Sequence, residues 1–221
     1  MTTAQEPQVL YCDAWLLAVD KPSGTLVHGD GTGERTLADW ASDLMLSMGD
    51  GFMASDLQPL NRLDRETTGI VLFSLDKQTQ PTFDALVAGH DMHKRYKALA
   101  EGRIEWNEKL IDRPIGRDRH DSRKMIVSRT GKPSQTRVRV LKRLKSRHGL
   151  PVRSFLDIEL LSGRKHQIRV HMAHERHPIV GDALYGTPRD CPLMLHAYQV
   201  DFDHPVTGEH ITIDSPLPWQ P

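Results

Sequence analysis

The sequence predicts an α+β fold with a largely antiparallel sheet, and three observations lead there. Its apolar runs are short and set off by turn residues. Only a few segments carry helical spacing. Strand and helix signals do not alternate regularly, as a doubly wound parallel sheet would require. No internal repeat, low-complexity tract or linker interrupts the 221 residues.

Taken in order, Val9 to Val19 ends in the apolar Leu16-Leu17-Ala18-Val19 and meets Lys21-Pro22-Ser23-Gly24, a strand running into a turn. Leu37, Trp40, Ala41, Leu44 and Met48 recur at helical spacing, with Thr36 placed to cap that helix. Gly69 to Leu75 holds Ile70-Val71-Leu72-Phe73, the pattern of a buried strand, and follows the loop that holds Asp64. Phe83, Leu86 and Val87 predict a helix after Pro81, which a first turn tolerates. Tyr96 to Ala100, Thr136 to Leu141 and Ser154 to Leu161 read as strands. Gly163 to Glu175 is polar but free of breakers after its start, so a helix is expected from near His166, ended by Pro178.

Hydrophobic residues make up 38% and charged residues 26%, the balance of a soluble globular protein. No apolar run approaches the roughly 18 residues that would cross a bilayer. Met1 to Gln8 lacks the basic start and apolar stretch of a secretory signal, so the expected compartment is the cytoplasm. The two cysteines, Cys12 and Cys191, are too few for a disulfide framework or a four-cysteine zinc site. The formal net charge is zero, yet Lys94 to Arg176 holds 23 Lys and Arg against 9 Asp and Glu, a balance of +14 that the rest of the chain cancels. Such asymmetry can build a basic face that steers a polyanion. It can also do no more than solvate exposed strands.

Several segments carry chemistry. In Leu60-Asn61-Arg62-Leu63-Asp64-Arg65-Glu66-Thr67-Thr68-Gly69 one carboxylate sits between two arginines, in a polar turn before an apolar strand. Flanking cations favour the ionised form of a carboxylate, which can then act as nucleophile or base. From these residues alone, a structural turn in which Asp64 accepts backbone hydrogen bonds, with the arginines in solvent, is the more ordinary reading. In Gly163-Arg164-Lys165-His166-Gln167-Ile168-Arg169-Val170-His171, helical spacing would project Lys165, His166 and Arg169 as one cationic face. Arg169 could then pair with Asp64, clamp a phosphate, or simply lie in solvent. Lys94-Arg95-Tyr96-Lys97 sets an aromatic among three cations on a strand, where alternation sends Tyr96 to one face and Arg95 and Lys97 to the other. Such a tyrosine stacks on an unpaired base or fills the core.

The histidines at 166, 171, 174 and 177 are spaced five, three and three, not the four of a metal-binding helix, so no metal is expected. There is no nucleophile elbow, phosphate-binding loop or dinucleotide fingerprint, so hydrolase, nucleotide-dependent and redox readings lose their best supports.

Together these residues resemble the RluA-type family of RNA pseudouridine synthases, over nearly the whole chain. The resemblance runs through Asp20-Lys21-Pro22-Ser23-Gly24-Thr25-Leu26-Val27-His28, then Arg62-Leu63-Asp64-Arg65 with Thr67-Thr68-Gly69, then Lys94-Arg95-Tyr96. It continues through Gly131-Lys132-Pro133 with Thr136, Gly163 to His171, His177-Pro178-Ile179-Val180-Gly181-Asp182 with Tyr185-Gly186, Leu195-His196-Ala197 and His204-Pro205. Each motif is weak alone, but their shared order is specific. The resemblance implies the pseudouridine synthase fold: a mixed, mainly antiparallel sheet in two halves with flanking helices and a central cleft. It implies Asp64 as the catalytic aspartate, Tyr96 packing against the target base and Arg169 holding the aspartate. Arg62, Arg65, Lys94, Arg95, Arg164, Lys165 and His166 are the expected RNA contacts. The expected activity is isomerisation of uridine in ribosomal or transfer RNA by a monomer, with no metal, nucleotide or organic cofactor and no membrane. Two positions depart from the family pattern: Asn61 stands where histidine is common and Thr68 where serine is. The chain reads as a single catalytic domain over 1–221, without the amino-terminal S4-type RNA-binding domain of many relatives, so recognition is expected to rest on the catalytic domain. A glycoside hydrolase pairing Asp64 with Glu66 or Asp182 is the competing enzyme reading, and an RNA-binding protein without catalysis the competing non-enzyme reading.

Overall fold

The computed structural model describes residues 6–49, 52–146, 151–188 and 190–220. The chain divides into two compact units, Met1–Met92 with Ala197–Pro216, and His93–His196 with Leu217–Pro221. Most of the strand pairings given below are antiparallel.

In the first unit the expected opening strand is two strands, β1 (Gln8–Cys12) and β2 (Leu16–Lys21). Asp13 divides them: its carboxylate accepts hydrogen bonds from the amides of Trp15 and Leu16, both at 2.7 Å, closing a tight turn. Next comes helix α1 (Leu37–Met48), with Thr36 in a full capping box: the Thr36 hydroxyl accepts from the Asp39 amide and the Asp39 carboxylate from the Thr36 amide. The two-residue β3 (Gln58–Pro59) pairs with β4 (Thr68–Ser74), and β4 lies beside β2. Helix α2 (Gln80–Ala88) follows, with proline in its first turn as expected.

The apolar runs of β2 and β4 have no polar alternation because both sheet faces are covered. Leu16, Ala18, Ile70 and Leu72 pack with Phe83 of α2, while Leu17, Val19, Val71 and Phe73 pack with Leu37 and Ala41 of α1.

The second unit is built on β5 (His93–Glu101), β6 (Glu108–Asp112), β9 (Gln135–Leu144) and β10 (Arg153–Leu160), in the order β5-β10-β9-β6. Here alternation is clean. Thr136, Val138, Leu156 and Ile158 are buried, and Arg137 and Arg139 point outward. Between β6 and β9 runs a two-stranded hairpin of β7 (Ile115–Arg117) and β8 (Met125–Val127), which three-residue strands leave without a periodic signal in the sequence.

Helix α3 (Gln167–His174) starts where expected, but Pro178 does not end it. A Schellman motif does: the amide of His177 bonds to the Met172 carbonyl and that of Arg176 to Ala173, with Arg176 left-handed at φ 64°. The chain leaves this unit through β11 (Leu195–Asp203), which lies beside β4 in the first unit from Ala197 onward and pairs there with β12 (His210–Asp214). The α+β class and the antiparallel sheet are as the sequence predicts.

Candidate active site

Asp64 lies half-buried in the loop between β3 and β4, and that loop is built from its backbone outward. Lys21, at the end of β2, is 0% exposed, and its ammonium donates to the carbonyls of Pro22 at 2.9 Å, Thr25 at 2.8 Å and Arg65 at 2.9 Å. The Gly24 amide also donates to the Arg65 carbonyl, at 2.9 Å, and the Ser23 hydroxyl to that of Glu66 at 3.1 Å. The turn Lys21-Pro22-Ser23-Gly24 thus clasps the residues directly after Asp64. Burial pushes the Lys21 ammonium down to about 7, against the opposing pull of the Glu66 and Asp64 carboxylates.

On the other side, Asn61 splints β4: its side chain donates to the Ile70 carbonyl at 3.1 Å and accepts from the Leu72 amide at 2.7 Å. The departure at this position therefore keeps a pair of hydrogen bonds to the strand. Gly69 opens β4 at φ 110°, and a Cβ there would stand 2.2 Å from the Ala197 carbonyl oxygen, so only glycine fits. Arg62 is exposed, whereas Arg65 is engaged by Glu34 at 2.5 Å.

Tyr96 is 5% exposed on β5, across from Ile158 of β10. Lys94 shares its face of the strand, half-buried, and burial pushes its ammonium down. Arg95 stands on the opposite face, exposed, across from Glu159, and Lys97 on that same face pairs with Asp157 at 2.8 Å. Of the cations around Tyr96, only Lys94 shares the tyrosine's face. The outer face is instead a lattice of alternating charge in which Arg137 meets Glu159 and Arg139 meets Asp157.

The common cationic face expected from Lys165, His166 and Arg169 does not form. Arg164 and Lys165 are exposed before the helix begins. His166 is its left-handed N-cap at φ 57°, and Arg169 turns inward to 3% exposure. The reason is the buried Asp182, which takes the Arg169 guanidinium by two hydrogen bonds, at 2.8 Å and 2.9 Å. Burial alone would raise the Asp182 carboxyl. The bonds and charge of Arg169, with the amides of Leu184 at 3.0 Å and Tyr185 at 3.1 Å, instead hold it below its ordinary value. Gly181 makes the turn at φ 80°, against the Pro192 carbonyl.

The Tyr185 ring lies 5.3 Å from the Arg169 guanidinium carbon, and its hydroxyl is 2.7 Å from Nδ1 of His166. His171, by contrast, is a buried brace between the Thr136 hydroxyl and the Arg113 carbonyl, 2.9 Å from each. No group of metal-ligating side chains occurs among the described residues.

The structure therefore joins His166 to Arg169 through Tyr185, and sets Asp64 in the first unit beside Lys21. Sequence reading did not assign roles to Lys21, Asn61 or Tyr185, and offered Asp182 only as a glycosidase partner. A carboxylate held below its ordinary value by a buried arginine is a poor proton donor at neutral pH, which argues against Asp182 as the acid of such a pair. The signals were present in the ordered motifs Lys21-Pro22 and Asp182 to Gly186, but burial gives them their meaning.

Residues 15–174 match the RNA pseudouridylate synthase family. The chain is 32% identical over 216 residues to an uncharacterised RNA pseudouridine synthase, YlyB, of Bacillus subtilis, covering 95% of this chain and 69% of that protein. It is 31% identical over 234 residues to tRNA pseudouridine synthase C of Vibrio cholerae, covering 96% and 93%. It is also 31% identical over 233 residues to ribosomal large subunit pseudouridine synthase D of Neisseria meningitidis, of which it spans 58%. The solved structure of human RNA pseudouridylate synthase domain containing 1 has the same fold, at a TM-score of 0.81 and 24% identity over 100% of this chain and 87% of that one. With Arg62-Leu63-Asp64-Arg65 standing on a clasped loop inside the matched region, the chain belongs to the RNA pseudouridine synthase family.

Proposed function

We propose that this chain converts uridine to pseudouridine in a ribosomal or transfer RNA, with Asp64 as the catalytic carboxylate. The observation that carries the reading is the loop of Asp64, held at the Arg65 and Glu66 carbonyls by Lys21, Gly24 and Ser23 in a chain of this family. The reaction breaks the N1–C1′ bond, turns the base, joins C5 to C1′ and loses the C5 proton, while N1, freed of the sugar, takes up one proton. Atoms and electrons balance within the nucleoside, so the chemistry needs no redox partner, metal or organic cofactor.

One carboxylate near the sugar suffices. Asp64 either attacks C1′ or takes the 2′ proton, and in both cases it meets the oxocarbenium-like charge for which glycosidases also use carboxylates. The detached base must be held until it has turned, which suits an aromatic wall. Tyr96 fills that role in the proposal, and Arg169 serves as the guanidinium that holds the aspartate. A uridine inside a helix cannot reach such a residue, so the nucleotide is flipped out, at least cost from a loop or bulge. Arg62, Arg65, Lys94, Arg95, Arg164, Lys165 and His166 are proposed to meet the flanking RNA. Among them Arg62, Arg95, Arg164 and Lys165 are exposed in the free protein. The protein is further proposed to act as a cytoplasmic monomer, with both units forming one catalytic domain.

The test is Asp64→Asn. This variant should fold, bind RNA with wild-type affinity and make no pseudouridine, and substantial residual product would overturn the assignment. Mapping pseudouridine in total RNA from cells with and without the active protein identifies the substrate: signal lost from ribosomal RNA or from transfer RNA decides between the two.

A further inference from the structure

We propose that Tyr185 is a positioning residue that ties the basic β7–β8 hairpin to Arg169, so that hairpin engagement by RNA and orientation of the guanidinium depend on one side chain. The inference rests on the function proposed above. Its geometry lies wholly within the second unit.

Tyr185 sits at a junction of four segments. Its backbone amide donates to Asp182, the same carboxylate that holds Arg169. Its ring lies under the Arg169 guanidinium and packs edge-on against His166, with centroids 5.6 Å apart. Its hydroxyl hydrogen-bonds Nδ1 of His166 and also accepts from the backbone amide of Met125 at 2.8 Å. Met125 is the first residue of β8, directly after the hairpin's tip.

That hairpin carries charge suited to RNA. From Arg113 to Lys132 there are seven Lys and Arg against two Asp. It is also a weak element by itself, since two strands of three residues bury too little to hold a fixed orientation. Backbone bonds between Ile115 and Lys132, at 2.9 Å and 2.8 Å, secure its base. The Met125–Tyr185 bond reaches its tip-proximal strand from residues 60 positions away in sequence. A tyrosine needed only for packing would use its ring. Here the hydroxyl joins the hairpin and the ring supports the guanidinium, so the two halves of the side chain have separable duties.

Two substitutions separate them in the full-length protein, assayed with a substrate RNA. Tyr185→Phe keeps the ring and removes both hydroxyl bonds. It should raise KM for RNA about tenfold, lower kcat less than about threefold, and speed hydrogen exchange at the Met125 amide. Tyr185→Leu also removes the ring and should lower kcat about tenfold or more. Wild-type kinetics and Met125 exchange in Tyr185→Phe would overturn the proposal. So would losses in both variants that merely follow the folded fraction measured by circular dichroism. If Tyr185→Leu fails to fold, Tyr185→Phe alone decides. Should the wild-type protein bind RNA but make no pseudouridine, the function proposed above has failed. RNA affinity and Met125 exchange in Tyr185→Phe then still test the tie, and unchanged values overturn it.

Discussion

Lys21 shows how a single buried residue sets a site without chemistry of its own. A fully buried ammonium is expensive, and three carbonyl acceptors with two nearby carboxylates make it tolerable. Two influences oppose each other: burial favours the neutral amine, while the three carbonyl acceptors match the three N–H donors that only the ammonium has. With the folded-state value lowered to about 7 and the unfolded one near 10.5, the unfolded chain binds more protons between those limits. Stability should therefore rise with pH across that window, by up to about 1.4 kcal/mol per pH unit, and gain nothing from this group below it. Urea unfolding at pH 7, 8 and 9, compared with Lys21→Met to remove other titrations, measures the slope. Identical slopes in the two proteins would mean that the carbonyl cage keeps the proton and holds Lys21 near its ordinary value.

Helix α3 shows how an element can hide its role. Six of its eight residues, Gln167 to Met172, are buried, although its sequence reads as polar. Each buried polar side chain has a partner outside the helix: Gln167 bonds Gln135 and Thr136, Arg169 bonds Asp182, and His171 bonds Thr136. Hydrophobic periodicity cannot reveal a helix buried through polar pairs, so its position was legible and its inward face was not. Its end carries a local cost, because Arg176 adopts the left-handed conformation that glycine accepts freely. Arg176→Gly should stabilise the protein by about 1 kcal/mol, seen as a higher midpoint in thermal or chemical unfolding. A lower midpoint would show that the arginine side chain contributes more than the backbone conformation costs.

Across the whole molecule, charge is partitioned by structural unit. The first unit holds 5 Lys and Arg against 18 Asp and Glu, and the second holds 24 against 11. The formal neutrality of the chain thus conceals an acidic unit and a basic one. A polyanion is attracted to the second, while in the first Arg62 and Arg65 flank Asp64 in sequence and Lys21 reaches the Arg65 carbonyl through the fold. RNA affinity should fall steeply as salt rises. Replacing Arg164 or Lys165 by glutamine should each reduce the slope of log K against log salt by about 0.7, whereas Lys77→Gln in the first unit should leave it unchanged. Filter binding or fluorescence anisotropy at several salt concentrations reads this directly. Equal slopes for all four proteins would place the RNA elsewhere.

The sequence by itself determined the α+β class, the buried strand β4, the capped helix α1 and the loop of Asp64, because each is written in neighbouring residues: an apolar run, a cap, an ordered motif. It did not disclose the β7–β8 hairpin, whose strands are too short for a period, nor the two-strand opening that Asp13 creates by capping a turn. Only the tertiary structure decided that Lys21 clasps the Asp64 loop, that Asp182 and not an exposed surface receives Arg169, and that Tyr185 stands between Arg169 and Met125. These are pairings between residues 13 to 60 positions apart. Their strength comes from exclusion of water, and that exists only after the chain has folded.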